Sequence, residues 1–133
     1  MSNAIQQSFA DCHTIAVVGL SPKAHRDSFR VSKYMQDHGF RIVPINPNAP
    51  EVLGEKAYAS LTEAAQHVRI DMVNCFRNSE DIPPIAAEAI AIGAKSLWLQ
   101  IGVMNDAAAQ QATEAGLVVV QDRCLMVEHR QLR

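Results

Sequence analysis

An apolar run that ends in a glycine turn constrains this chain most. Residues 14–21 (TIAVVGLS) begin as a strand buried on both faces would, and Pro22 and an amphipathic segment follow. A strand, a tight turn and a helix start in this order hold phosphate groups at exposed backbone N–H groups. The pattern therefore predicts a nucleotide-binding α/β domain.

A second buried-strand run narrows the choice of nucleotide. Residues 42–47 (IVPINP) form another strand pattern, which ends in an Asn-Pro turn. The NAD fingerprint has three glycines after the first strand and an acidic residue at the end of the second. Here only Gly19 stands in the first turn, and Asn46 takes the place of the acid. Ordinary NAD is therefore not the expected ligand.

Strand and helix patterns alternate along the rest of the chain. Ser60 and Glu63 form a capping box, Ser79 or Asp81 can cap the next helix, and Asn105 can cap the one after it. The predicted strands are residues 14–20, 41–45, 71–76, 96–100 and 117–121. The predicted helices lie at 28–38 and 60–67, between 79 and 93, between 105 and 116, and at 125–132.

Strands that are apolar on both sides require helices on both faces of a parallel sheet. The predicted fold class is α/β, a doubly wound five-stranded parallel sheet of order 3-2-1-4-5. This order places the topological switch point, where ligands of open α/β sheets bind, between the first and fourth strands. The turns at the carboxyl ends of the strands are therefore the expected ligand edge.

Composition limits the classes of partner. The 133 residues suit a single domain (1–133), 48% of them are apolar, and the net charge of -2 disfavours nucleic acid. We predict no membrane partner, because no apolar run approaches the roughly 20 residues of a spanning helix. The three cysteines form no C-x-x-C pair and no signal peptide is visible, which favours reduced thiols and a cytoplasmic location.

Cations cluster after the first turn. Lys23 and Arg26 lie in the loop, and Arg30 and Lys33 follow on the predicted helix. Basic residues near a helix N-terminus oppose its dipole unless an anion offsets them, so a phosphate site is favoured over a merely solvated helix start. The cofactor site is expected to include Lys23, Arg26 and Arg30.

Three further turns could line the site. Asn46 and Pro47 follow the second strand, although alone they are ordinary turn residues. Phe76 and Arg77 follow the third strand, where a base or a flexible arm of the ligand could lie. The turn after the fourth strand contains Gln100, Gly102, Val103 and Asn105, whereas Trp98 is expected in the core.

Catalytic signals are weak. Cys124 stands near Asp122, Glu128 and His129, which resembles a nucleophile with its base or part of a metal site, but a buried cysteine at a helix start explains these residues better. No nucleophile elbow or P-loop occurs. We therefore expect a binding site without catalytic residues and without a metal.

Several motifs in fixed order resemble those of the small stand-alone CoA-binding proteins, which are similar to the N-terminal domain of the succinyl-CoA synthetase α subunit. The resemblance covers nearly the whole chain. It rests on residues 17–21 (VVGLS), 44–47 (PINP), 52–54 (VLG) with Tyr58 and 60–61, 73–77 (VNCFR), 88–90 (EAI), 93–95 (GAK), 98–103 (WLQIGV), 122–124 (DRC) and 128–129 (EH).

The resemblance implies a Rossmann-like domain that binds coenzyme A or an acyl-CoA. By position it marks Gly19, Ser21, Asn46, Pro47, Phe76, Arg77, Gln100 and Gly102. The expected cofactor-binding set adds their neighbours and the cations: Leu20, Lys23, Arg26, Arg30, Val103 and Asn105. A 3′-phosphate, which CoA carries, suits these cations, and which of them contacts it stays open.

The expected function is therefore non-catalytic binding of CoA or an acyl-CoA. The phosphorylated histidine and second domain of the synthetase have no counterpart in this sequence, so ligase activity is not carried over. One alternative is an NAD(P)-type dinucleotide sensor, in which the basic loop reads a 2′-phosphate. Another is an interaction module with a vestigial nucleotide site. A protein partner is not predictable from the sequence.

Overall fold

The computed structural model describes residues 3–132, as alternating helices and strands. The strands are β1 (Thr14–Val18), β2 (Arg41–Ile45), β3 (Glu51–Val52), β4 (Glu55–Lys56), β5 (Met72–Cys75), β6 (Ser96–Leu99) and β7 (Val118–Val120). The helices are α1 (Asn3–Phe9), α2 (Asp27–Asp37), α3 (Leu61–Ala65), α4 (Ile82–Ala91), α5 (Asp106–Glu114) and α6 (Leu125–Leu132). A 3₁₀ turn over Ser79–Asp81 precedes α4.

Five of these strands form one parallel sheet in the order β2-β1-β5-β6-β7, and β3 and β4 form a separate antiparallel hairpin. The side chains of β1 divide between two cores. Ala16 and Val18 pack with residues of α3, α4 and α5, whereas Ile15 and Val17 pack with residues of α1, α2 and α6. The predicted class, a Rossmann-like five-stranded parallel sheet with helices on both faces, is confirmed.

The strand order differs from the predicted 3-2-1-4-5. Numbered along the chain, the five strands lie in the order 2-1-3-4-5, because β5 pairs with β1 and not with β2. The free edge of β2 is occupied by Tyr58, which donates its N–H to Pro44 O at 3.0 Å and accepts that of Asn46 at 2.9 Å. The switch point is therefore between β1 and β5, and not between the first and fourth strands.

Most predicted helix ends are confirmed. Ser60 accepts the N–H of Glu63 at 3.1 Å, and Asn105 accepts that of Ala108 at 3.0 Å. At the start of α4, Asp81 occupies the predicted N-cap position but its side chain makes no capping bond, and Ser79 Oγ accepts the N–H of Met104 at 2.9 Å instead of capping the helix. Ser79 therefore joins the turn after β5 to the turn after β6.

Asp71 joins three strands at the opposite, amino edge of the sheet. Its buried Oδ2 accepts the N–H groups of His13 at 2.9 Å and Thr14 at 3.0 Å, and Oδ1 lies 3.8 Å from Lys95 Nζ. Burial opposes ionisation, but the two amide bonds and the charges of Lys95 and Arg69 outweigh it and hold the pKa of Asp71 below its ordinary 3.8. The ionised carboxylate therefore stabilises the folded state.

Asp71→Asn should lower the free energy of unfolding by about 1 to 2 kcal/mol at neutral pH, because two amide donors lose a charged acceptor. A group whose pKa is depressed on folding stabilises above its unfolded pKa, and this contribution is lost as pH falls through the folded value. The difference in the free energy of unfolding between wild type and variant, measured by urea denaturation, should therefore become smaller below about pH 4. Asp37→Asn, at an exposed residue paired with Lys33, is the control and should cost under about 0.5 kcal/mol. An equal loss of unfolding free energy at every pH would contradict a stabilising role for the ionised carboxylate of Asp71.

Candidate functional site

The turn after β1 lies against the carboxyl end of β5. Gly19 has φ +86°, and a Cβ at this position would overlap the carbonyl oxygen of Phe76 and lie 3.1 Å from Arg77 Cδ. The N–H of Gly19 donates to Ile45 O at 3.1 Å, so it extends the contact between β1 and β2. Glycine is required here for close packing at the switch point.

The loop from Ser21 to Ser28 is held in shape by side-chain oxygens. Ser21 N donates to the buried Ser28 Oγ at 3.0 Å, and Lys23 N donates to Ser21 Oγ at 3.1 Å. Arg26 is the N-cap of α2 and gives no side-chain capping bond. The first amide groups of a helix have no partner within the helix, so the start of α2 presents donors for an anion.

A cavity of about 530 Å³ opens at this helix start. We call it the helix-start cavity; its lining is Gly19, Ser21, Lys23, His25, Arg26, Asp27, Ser28 and Phe76. The cavity thus combines the glycine turn, the α2 N-terminus and two of the expected cations. This is the arrangement that binds phosphate groups in open α/β sheets.

The cations near this cavity differ in their partners. Arg30 forms an ion pair with Asp27 and donates to His25 O at 2.9 Å, and Lys33 pairs with Asp37 at 3.2 Å. Lys23 and Arg26 are exposed and form no ion pair within residues 3–132. These two are the cations available to an incoming anion, whereas Arg30 already compensates a carboxylate.

A second cavity, of about 360 Å³, lies on the other side of the Gly19 contact, between the ends of β1, β2 and β5. We call it the β2 cavity; its lining is Val18, Ile45, Pro47, Ala59, Ser60, Leu61, Arg77, Glu80, Asp81, Pro84, Ile85 and Glu88. The guanidinium of Arg77 is 3.4 Å from Asp81. Phe76 and Arg77 therefore line different cavities on either side of the turn.

Two residues of the predicted set support the first turn and do not line these cavities. The side chain of Leu20 is fully buried in the core. Asn46 donates its Nδ2–H to Leu20 O at 2.9 Å and accepts the N–H of Asn48 at 2.8 Å. Asn46 thus closes its own turn and ties the end of β2 to the turn after β1.

Residues in the turn after β6 also make hydrogen bonds that tie this turn to neighbouring turns. Gly102 N donates to Asp122 Oδ1 at 2.7 Å, Val103 is buried, and Asn105 Nδ2 donates to Ser79 O at 3.1 Å. Gln100 Oε1 accepts the N–H of Leu125 at 2.9 Å and so caps α6. Of these four predicted residues, only Gln100 lines one of the cavities at the carboxyl edge.

A third cavity, of about 310 Å³, lies between α2, the turn after β6 and the start of α6. We call it the α6 cavity; its lining is Asp27, Arg30, Val31, Phe76, Gln100, Ile101, Cys124 and Met126. The sequence did not single out Val31, Ile101 or Met126 as site residues, because apolar residues in a helix or beside a strand are typical of core. Only the fold brings them to one edge with Phe76 and Gln100.

The three cysteines differ in burial. Burial raises the pKa of both Cys12 and Cys75 to about 12, and Cys124 is half-buried. Within residues 3–132 there is no disulfide and no cluster of three or more metal-ligating side chains. His129, which the sequence placed near Cys124, contacts Tyr34 Oη through Nδ1 at 3.0 Å.

Across residues 3–132, no helix has both the length and the apolar character needed to cross a membrane.

The fold defines a Rossmann-like domain, and its carboxyl-edge cavities lie around the β1/β5 switch point. Residues 13–130 match the sequence model of the CoA binding domain family. The chain therefore belongs to that family.

The chain is also similar to individual known proteins. The chain is 46% identical over 115 residues to the uncharacterised protein YneT of Bacillus subtilis, covering 86% of this chain and 84% of that one. It is 30% identical over 84 residues to acetate–CoA ligase [ADP-forming] II of Archaeoglobus fulgidus, but these cover only 12% of the ligase. A hypothetical protein from Pyrococcus horikoshii superposes with a TM-score of 0.92 at 37% identity, over 99% of this chain and 92% of that one.

The glycine contact can be tested with a matched pair of variants. Gly19→Ala and Gly102→Ala both place an alanine at positive φ, which costs about 1 to 2 kcal/mol, but only at Gly19 does the added Cβ meet neighbouring atoms. We expect Gly19→Ala to lower the free energy of unfolding clearly more than Gly102→Ala, as measured by urea denaturation. Equal losses would mean that the turn does not press against β5.

Proposed function

We propose that this protein binds coenzyme A, or an acyl-CoA, at the β1/β5 switch point and has no catalytic activity of its own. The observation that carries the proposal is the helix-start cavity of a CoA binding domain, which is lined at the start of α2 by Lys23 and Arg26, two cations without an ion pair among residues 3–132. CoA carries a pyrophosphate and a 3′-phosphate. These negative charges match the amide donors at the start of α2 and the two cations, whereas Asp27, the carboxylate that also lines the cavity, is paired with Arg30.

The position of the cavities supports one direction for the ligand. In doubly wound sheets the nucleoside end of a dinucleotide lies toward the end of the second strand, and the pyrophosphate lies at the first helix N-terminus. This orientation puts the adenosine in or near the β2 cavity, beside Pro47, and the phosphates in the helix-start cavity. The rest of CoA then extends toward α6.

The absence of catalysis is part of the proposal. Cys12 and Cys75 are buried with raised pKa values, which makes them poor nucleophiles. Asp71, whose lowered pKa keeps it ionised, lies at the amino edge, away from the three cavities of the carboxyl edge. The similarity to an acetate–CoA ligase covers 12% of that enzyme, so its ligase activity is not carried over to this chain.

The direct test is calorimetric titration of ligand-stripped protein with CoA and with NADP in the same buffer. CoA should bind with micromolar or tighter affinity and NADP should give no comparable heat. Preferential NADP binding would favour the dinucleotide-sensor alternative. No binding of either ligand would overturn the proposal.

Substitution of single cations tests which of them contributes to CoA affinity. Arg26→Ala should weaken CoA binding about tenfold or more, because a charge-assisted contact contributes about 1.5 to 3 kcal/mol. Lys33→Ala is the matched control, since Lys33 lies on the same helix but pairs with Asp37, and it should change the affinity little. An unchanged affinity of Arg26→Ala would remove Arg26 from the phosphate contacts, and Lys23→Ala would then be the next variant to titrate.

A further inference from the structure

The α6 cavity has a lining unlike that of the other two cavities at this edge. Val31, Ile101 and Met126 contribute apolar side chains, and Phe76 and the half-buried Cys124 add to them. Asp27 and Arg30 stand at the side nearest α2, where they neutralise each other in an ion pair. The cavity is therefore suited to an uncharged, mainly apolar group.

This cavity adjoins the helix-start cavity. Asp27 and Phe76 line both, so the α6 cavity is within reach of a ligand whose phosphates occupy the helix-start cavity. Phe76 follows β5 and Gln100 follows β6, and Gln100 N donates to Cys75 O at 3.4 Å, so the two residues end neighbouring strands. Gln100 also supplies a side-chain amide to the lining, and a neutral polar group of this kind suits the polar part of a thioester or a pantetheine arm.

The exposure of Ile101 points to a missing contact. Ile101 is 66% exposed at the mouth of the α6 cavity, although it follows directly after the buried Gln100. A large apolar side chain in water at the rim of an apolar cavity gains free energy when a ligand covers it. Coverage by an apolar group bound in the cavity would bury this side chain.

From these observations we propose that the α6 cavity holds the acyl end of the ligand, and that the protein prefers thioesters of short, uncharged acyl groups to free CoA. This inference rests on the proposed function and adds the substrate class. The pantetheine arm passes Phe76, and the acyl group lies against Val31, Ile101 and Met126. An acyl group with a terminal carboxylate is disfavoured, because the Arg30 guanidinium is already paired with Asp27.

The ligand series that tests this preference is CoA, acetyl-CoA, butyryl-CoA and succinyl-CoA. Each buried methylene contributes about 0.8 kcal/mol, so affinity should rise up to about fourfold per methylene from acetyl-CoA to butyryl-CoA. Succinyl-CoA has the same chain length as butyryl-CoA but an added charge, and it should bind no more tightly than CoA. Equal affinities for CoA and butyryl-CoA would overturn the inference while leaving CoA binding intact. Failure of all four to bind would instead overturn the proposed function.

A pair of surface variants tests whether the acyl group lies in the α6 cavity. Ile101→Asp should abolish the advantage of butyryl-CoA over CoA, because it puts a carboxylate at the mouth of the cavity. Met104→Asp is the control: Met104 is also an exposed apolar residue of this turn, at 49%, but it does not line the cavity. If Ile101→Asp keeps the full butyryl advantage, the acyl group lies elsewhere.

Cys124 offers an independent readout. It lines the α6 cavity, whereas Cys12 and Cys75 are buried, so iodoacetamide should label Cys124 first. Saturating butyryl-CoA should slow this labelling more than saturating acetyl-CoA does, because the longer acyl group covers more of the thiol and neither thioester has a free thiol that would consume the reagent. Mass spectrometry of intact protein, with Cys124→Ser as the unlabelled control, measures the rate. Equal protection by both ligands would contradict placement of the acyl group beside Cys124.

Discussion

The close approach of Gly19 to the Phe76 carbonyl is the contact on which the rest of the carboxyl edge depends. A side chain at this position would meet backbone, so the turn after β1 can lie against β5 only with glycine. Beyond this contact the two connections separate, the one after β1 toward α2 on one face of the sheet and the one after β5 toward α4 on the other. The helix-start cavity and the β2 cavity lie on opposite sides of this contact. Gly19 and Phe76 line the helix-start cavity, and Val18 and Arg77 line the β2 cavity.

Charge compensation then distinguishes a site from a merely basic surface. Arg30, Lys33 and Arg77 each have a carboxylate partner three or four residues away along the chain, whereas Lys23 and Arg26 have none among residues 3–132. A protein with a net charge of -2 has no broad positive field, so recognition of an anion has to be local. Two uncompensated cations at a helix start, beside a more apolar cavity, match a ligand that is charged in the middle and apolar at one end.

Sequence patterns predicted the five main strands and most helix ends, because those depend on local periodicity and capping. They missed α1 and the hairpin of β3 and β4. The hairpin strands have two residues each, too short for any alternation to be visible. Helix α1 is recognisable only by its packing, with the ring centroid of Phe9 5.5 Å from that of Trp98. In the site, Gly102 and Asn105 were predicted from their place after a strand, but their bonds go to Asp122 and Ser79, remote residues that no local pattern connects to them.

The sequence by itself determined the class of fold and the family, since buried β-branched runs, glycine turns and ordered motifs are properties of short segments. Tertiary structure alone decided the strand order, because the edge of β2 is taken by the backbone of Tyr58 before the chain crosses to β5. It also decided which predicted residues line a cavity. A side chain at the end of a strand can face a ligand or tie two turns together, and that choice depends on partners distant in sequence.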